Sequence, residues 1–337
     1  MSKLLARLKP GFHGPSLFWP LAGWVVLLAV NLIFTPNFFH LELRDGHLYG
    51  TLIDILNQGS KVMLLAIGMT LVIATGGVDL SVGSVMAIAG AVAALLVGKL
   101  AFVWVLAAAL GAALAAGTCN GILTGCFGIQ PIVATLILMV AGRGAAMLLT
   151  GGQIITFENP SLVYLGNGHF LGLPFTVTLV AAVLCLALAL MRKTAIGLFL
   201  ESVGDNERAA RLCGINASFV KIIVFAGSGL CAGMAGLIAT ANIKAADSSR
   251  VGEMMELDAI FAVVVGGTPL TGGRFTLVGS VIGALLIQTL ATTMYDLGVP
   301  PAVAAVPKAA VIVAVCLLRS AKFRAWLAGL FGRKAQA

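Results

Sequence analysis

The chain has 337 residues, 60% of them hydrophobic and only 10% charged, with a formal net charge of +8. Soluble domains carry about 25% charged residues, so a water-soluble fold is excluded: its surface would be apolar and would aggregate. A mean hydropathy of +1.05 fits a chain solvated by lipid, with length for about ten spans of ~20 residues each.

Residues 1–10, MSKLLARLKP, are basic and precede an apolar run at 16–36. That run is too long for a signal-peptide core and has no A-x-A-like cleavage site, so it reads as an uncleaved first span. Trp19, Phe34, Phe38 and Phe39 near its ends fit interfacial anchors. HLYGTLIDILNQG at 47–59 predicts a short helix at the outer surface. Further apolar runs place spans at 60–75, 82–98, 101–124, 130–150, 174–191, 217–241, 256–268, 275–294 and 301–318. The runs at 60–75 and 256–268 are short and end in glycines, which predicts spans that break or stop early. The 41 glycines fit close helix packing in a bilayer. The expected fold is all-α: a single polytopic domain over 1–337 with about ten transmembrane helices.

Charge sets the orientation. With ten spans and a cytoplasmic N-terminus, fourteen of the 21 Lys and Arg residues fall on inner segments, five on outer ones, and Arg143 and Lys308 inside spans. This asymmetry follows the positive-inside rule. It places both termini in the cytoplasm, including a basic tail at 319–337, and accounts for the net charge through the membrane face without nucleic acid.

Two polar breaks echo one another. GGVDLSVGS at 76–84 follows the second run, and GGTPLTGGRFT at 266–276 follows the eighth. Six spans separate them, so both lie near the cytoplasmic side. Paired glycine-broken helices point to a transport pathway built from repeats, which makes Gly76, Gly77, Asp79, Ser81, Gly266 and Gly267 candidates for it. Asp79 either caps the helix that starts near Ser81 or takes a direct part in passage; an ionised carboxylate in hydrocarbon costs about 2.5–3.5 kcal/mol on insertion scales. Arg143, Asp258 and Lys308 either line the pathway or form a buried ion pair between helices.

The longest charged inner stretch is RKTAIGLFLESVGDNERAARLCGIN at 192–216. Asn206 can cap a helix with Glu207 in its first turn, and Gly214 can end it in the left-handed conformation. Ala209 and Ala210 then give the helix a small face suited to a groove on another protein. The alternative is a solvated connecting loop.

Other chemistry is absent from the sequence. No G-x-x-x-x-G-K-[ST] loop occurs, so the chain is not itself an ATPase. There is no H-E-x-x-H, no G-x-S-x-G, and no Cys/His cluster to hold a metal, and no cofactor is expected. The six cysteines, Cys119, Cys126, Cys185, Cys213, Cys231 and Cys316, fall outside the outer loops and read as small buried hydrophobes rather than a disulfide framework.

Three segments carry a family resemblance. ESVGDNERAARLCGIN, LLAIGMTLVIATGGVDLSVGSVMAIAG at 64–90 and ELDAIFAVVVGGTPLTGG at 256–273 resemble the coupling segment and two signatures of permeases from ribose-type sugar ABC importers. The order and spacing match, with Ser202 where the family carries Ala. DGHLYGTLIDILN and QPIVATLILMVAGRG look most like the galactofuranose branch. The resemblance implies a non-catalytic inner-membrane subunit that pairs with a second permease, identical or paralogous. A periplasmic sugar-binding protein would dock outside. A separate, double-domain ABC ATPase would engage Glu201, Gly204, Asp205, Asn206, Ala209, Ala210 and Gly214. A carrier driven by an ion gradient is the rival class; it would rely on Asp79, Asp258 and Glu256 as ion sites.

Overall fold

The computed structural model describes residues 17–34, 38–44, 46–300, 303, 305–319 and 323. Lys3, Arg7 and Lys9 at the N-terminus, and the basic tail beyond Arg319, lie outside the described residues, as does the side chain of Cys316. Within them the chain is mainly helical, with elements at the places where the apolar runs predict spans. These are α1 (Phe18–Phe34), α2 (Thr51–Ala74), α3 (Val82–Leu96), α4 (Phe102–Gly125) and α5 (Pro131–Thr150), followed by α6 (Pro160–Asn167) and α7 (Phe175–Lys193). The polar stretch at 192–216 folds as α8 (Ile196–Asp205) and α9 (Glu207–Leu212). Then come α10 (Ala217–Ile243), α11 (Met255–Gly266), α12 (Leu277–Asp296) and α13 (Ala305–Arg319). Among the described helices, α2, α4, α5, α7, α10 and α12 are long and apolar enough to cross a membrane, and α1 and α3 are shorter apolar helices.

Three antiparallel pairs of very short strands trim the connections. β1 (Glu42–Arg44) pairs with β2 (His47–Tyr49), and β4 (His169–Phe170) with β5 (Leu173–Pro174). β3 (Ile155–Thr156) pairs with β6 (Ala245–Ala246), in register Ile155 opposite Ala246.

One expectation fails at the second span. No separate surface helix forms at 47–59, and the span is not short: α2 runs unbroken for 24 residues, about 36 Å at 1.5 Å per residue. The polar residues that suggested a boundary are absorbed by packing. Thr176 Oγ1 donates to Asn57 Oδ1 at 2.7 Å, and Gly59 lies against Gln288 of α12. The eighth span is short as expected: α11 has 12 residues and stops at Gly266.

α2, α10 and α12 form the buried centre, whereas α4, α5 and α7 leave most of their apolar surface exposed. α4 and α10 make the most extensive helix pair. Their backbones meet so closely that a Cβ on Gly117 would overlap the Phe225 carbonyl, and one on Gly229 the Ala113 carbonyl or, at 3.0 Å, Gly117 Cα. Buried hydroxyls and amides stitch the other helices. Thr70 Oγ1 donates to Ser280 Oγ at 2.7 Å, Asn31 Nδ2 to Thr293 Oγ1 at 2.8 Å, and Trp24 Nε1 to Thr289 Oγ1 at 3.0 Å. Such bonds average about 0.6 kcal/mol each in a membrane protein, so they fix register more than they supply stability.

The cysteines also depart from expectation. Cys231 is buried, but Cys119, Cys126, Cys185 and Cys213 are exposed free thiols. Apolar sequence does not distinguish a helix face turned inward from one turned to lipid. Cys213 therefore offers a native test of orientation. A membrane-impermeant maleimide should label Cys213 only in inside-out vesicles, and a cysteine placed at Ser161 only in intact cells, with the other exposed thiols replaced. Labelling of Cys213 from outside would invert the assigned topology.

Candidate functional site

The first break, residues 75–81, is a buried polar knot rather than an open loop. Asp79 is 1% exposed. Its Oδ1 accepts from the Ser81 amide at 3.0 Å and the Ser81 hydroxyl at 2.6 Å. Its Oδ2 accepts from Ser228 Oγ of α10 at 2.8 Å. Asn120 Nδ2 of α4 in turn donates to Ser81 Oγ at 2.9 Å. Burying a charge costs several kcal/mol, and hydrogen bonds to a charged group contribute about 1.5–3 kcal/mol each, so the three offset part of that cost. Asp79 thus caps the entry to α3 and ties it to α10; its carboxylate reaches no open space in this conformation. Ser228 and Asn120 escaped sequence reasoning, although each is a polar residue inside an apolar run.

The two sequence echoes meet in space, at the end of α8. Gly273 N donates to the Ala74 carbonyl at 2.9 Å, joining the second break to the end of α2. A Cβ on Gly204 would overlap that same carbonyl, and would stand 2.5 Å from Gly273 N. Gly272, at φ +87°, would with a Cβ press on Gly76 N at 2.8 Å and on the Gly204 carbonyl at 2.9 Å. Three backbones from distant parts of the sequence therefore touch directly, and only glycine permits the contact. Gly77 packs on Pro131 at the start of α5. Gly266 and Gly267 close α11, Gly267 at φ +109°, while Thr276 Oγ1 donates to the Gly266 carbonyl at 3.0 Å.

The 192–216 stretch is a helix pair, not a loop. The Asn206 side chain accepts from Ala209 N at 3.1 Å, as its capping role predicts. Gly214 takes φ +84° after α9. Ala209 and Ala210 do not share one outward face. Ala210 is 4% exposed and packs into the chain's own core with Val72, Leu200, Val203 and Val224, because a six-residue helix must bury one side to stay attached. The outward face is Glu201, Asp205, Asn206, Ala209 and Leu212, the last 90% exposed. Glu207 anchors α9 to α10: its Oε2 accepts from Lys221 Nζ at 2.8 Å, and its Oε1 from Arg211 at 2.7 Å. Burial pushes the Glu207 carboxyl up, but Lys221 and then Arg211 outweigh it and hold it below its ordinary value of 4.5.

The remaining charges fall into two separate arrangements. Lys308 Nζ of α13 lies 2.9 and 3.1 Å from the two carboxylate oxygens of Asp258 on α11. Both side chains are about one-fifth exposed, so the pair joins two helices. Arg143 of α5 binds no acid directly. Its Nη1 donates to the carbonyl of Ser248 at 3.1 Å and to that of Val251, clamping the segment between β6 and α11.

Two measurements follow. Removing one member of a largely buried pair leaves the other uncompensated, at about 3–5 kcal/mol. Lys308→Met and Asp258→Asn should each lower the thermal stability of detergent-purified protein, and the double variant should lose less than the sum. Additive losses would mean that the pair does not interact. For Glu207, a depressed folded-state value means that ionisation stabilises the fold. That contribution is present above pH 4.5 and is lost as the pH falls through the lower folded-state value. Hydrogen exchange of the Ala210 amide, corrected for intrinsic rate, should accelerate over that range in the parent. In Glu207→Gln it should already be fast, with no such pH step.

Comparison with known proteins agrees with this architecture. Residues 51–316 match the family described as branched-chain amino acid transport system/permease component. The chain is 48% identical to the galactofuranose transporter permease protein YtfT of Escherichia coli K12, over 96% of both chains. It is 38% identical to the fructose import permease protein FruF of Bifidobacterium longum, over 91% of this chain and 88% of that one. It is also 38% identical to the ribose import permease protein RbsC of E. coli K12, over 90% and 93%. A bundle of apolar helices with glycine-sealed breaks, matched along nearly its whole length by import permeases, belongs to the branched-chain amino acid transport system/permease component family.

Proposed function

We propose that the chain is the membrane-spanning subunit of an ATP-driven importer for a monosaccharide of the galactofuranose, ribose or fructose kind, in the bacterial inner membrane. It forms one transmembrane domain over 1–337. It pairs with a second permease, identical or paralogous, receives sugar from a periplasmic binding protein, and is driven by a separate double-domain ATPase. The chain performs no covalent chemistry of its own.

The observation that carries this reading is the contact of Gly204 with both membrane breaks. An ATPase seated on the outward face of α8 and α9 moves the helix pair, and Gly204 at their junction lies backbone to backbone on Ala74 and on Gly272–Gly273. Displacement at the inner surface then reaches both breaks together, with no flexible side chain between them to absorb it. Asp79 pins the first break to α10 and Ser81 ties it to α4, so the motion is passed on to the helix core. In this role Gly76, Gly77, Gly266 and Gly267 permit close approach, and Arg143, Asp258 and Lys308 hold helices and loops rather than sugar. A carrier driven by an ion gradient is less well supported. Asp79 already accepts from three donors and is buried, and Asp258 is paired with Lys308.

The test separates docking from transmission. Leu212→Asp places a charge on the exposed contact face. It should weaken ATPase binding in co-purification by about 30-fold, the loss expected for a 2 kcal/mol interface residue, with membrane insertion intact. Gly204→Ala should keep the ATPase bound but lower sugar uptake per ATP hydrolysed. Full binding and full uptake in both variants would reduce α8 and α9 to a connector. Ala210→Asp is no test of docking, because that side chain faces the protein's own core.

A further inference from the structure

At the opposite end of the molecule, a cavity of about 440 Å³ opens between the outer end of α5 and the turn that follows β6. Its size lies in the 300–1,000 Å³ range of small-molecule sites. The wall on one side is Met147 and Gln153; on the other it is Asp247, Ser248, Ser249 and Arg250.

The turn is built before any ligand arrives. Asp247 Oδ1 accepts from the Ser249 amide at 3.0 Å, from the Arg250 amide at 3.2 Å and from the Ser249 hydroxyl. The β3–β6 pair joins the two walls, and Arg143 grips the turn from below through main-chain carbonyls. Hydrogen bonding from Ser249 above all holds the Asp247 carboxyl below its ordinary range, so Oδ2 is a charged acceptor. Ser248 is only 4% exposed, yet its Oγ has no hydrogen-bond partner among the described residues. A buried hydroxyl left without a partner costs about 1–3 kcal/mol; this oxygen is enclosed by protein, so it reaches a ligand by turning about its Cα–Cβ bond toward the cavity that Ser248 lines.

The chemistry of this lining is that of a polyol site. The Gln153 amide and the serine hydroxyls both donate and accept, Arg250 supplies a planar fork of donors, and Asp247 supplies an acceptor. Each sugar hydroxyl likewise donates one bond and accepts others. Met147 gives an apolar surface for a ring face. The opposite charges of Asp247 and Arg250 balance across the lining, so an anion gains no net attraction there and a neutral polyol can use both groups.

We propose that this cavity is a transfer subsite, where the polyhydroxylated substrate is held after leaving the binding protein and before entering the helix core. The proposal rests on the importer reading above and adds the outer residues that would touch sugar.

The experiment uses the complete importer in proteoliposomes, with binding protein, ATPase and both permeases. Its probes are radiolabelled galactose at its pyranose–furanose equilibrium, ribose and fructose. If the parent takes up none of them in an ATP-dependent manner, the importer reading fails, and this subsite with it. Where one sugar is taken up, Gln153→Ala and Ser248→Ala should each lower sugar delivered per ATP by about 3- to 10-fold, the worth of one hydrogen bond. Ser249→Trp, which fills the cavity, should nearly abolish delivery while the assembled complex is retained. Unchanged delivery in Ser249→Trp would overturn the subsite and leave the importer reading standing. Loss of the binding protein or of the second permease from the complex would also overturn it, since the surface would then be a docking face.

Discussion

A helix that stops inside a bilayer leaves backbone N–H and C=O groups with no water to satisfy them, and this constraint governs the whole molecule. At 75–81 it is met locally. Thr75, Gly76 and Gly77 amides turn back to Val72 and Ile73, and Ser81 N finds Asp79. One carbonyl at the end of α2, that of Ala74, finds its donor far along the chain in Gly273. The second break is therefore required to complete the first. Asp79, Gly77, Thr268 and Gly273 are buried at this junction, while Pro269, Leu270 and Thr271 of the second break are exposed.

The direct backbone contacts among Gly204, Gly272, Gly273 and Ala74 make that end of the molecule stiff. The path from the exposed Leu212 runs through α9, the single extended residue Asn206 and the end of α8 to Gly204, and on by direct backbone contact to Ala74. Glu207 reinforces it by holding α9 to α10 through Lys221. On the coupling reading, stiffness is the useful property: a compliant linker would dissipate the small displacement that a motor domain delivers.

Much of this was legible in the sequence because it depends on local pattern. Apolar runs located the helices, Asn206 and Gly214 marked the ends of α9, and the two glycine-rich segments were recognisable as related. What the sequence hid depends on which way residues face. Ala210 and Ala209 are neighbours with opposite fates, since a short helix turns 100° per residue. The boundary inferred from Asn57 to Gly59 vanished because Thr176 and Gln288, more than a hundred residues away, absorb those polar groups. Asp258 and Lys308, fifty residues apart, read equally well as pathway or as pair until α11 and α13 were placed together. Nothing in the spacing of residues 247–250 announced a cavity with Gln153 opposite.

Arg143 holds the outer turn entirely through main-chain oxygens. Its grip on Ser248 and Val251 does not depend on which side chains those residues carry. Nor do residues 247–250 share any contact with the glycine junction at the other end. On the proposed readings, cargo preference and motor attachment would lie in separate parts of the chain. A lineage could exchange one sugar for another by drift in a handful of outer residues, while the machinery beneath stays untouched.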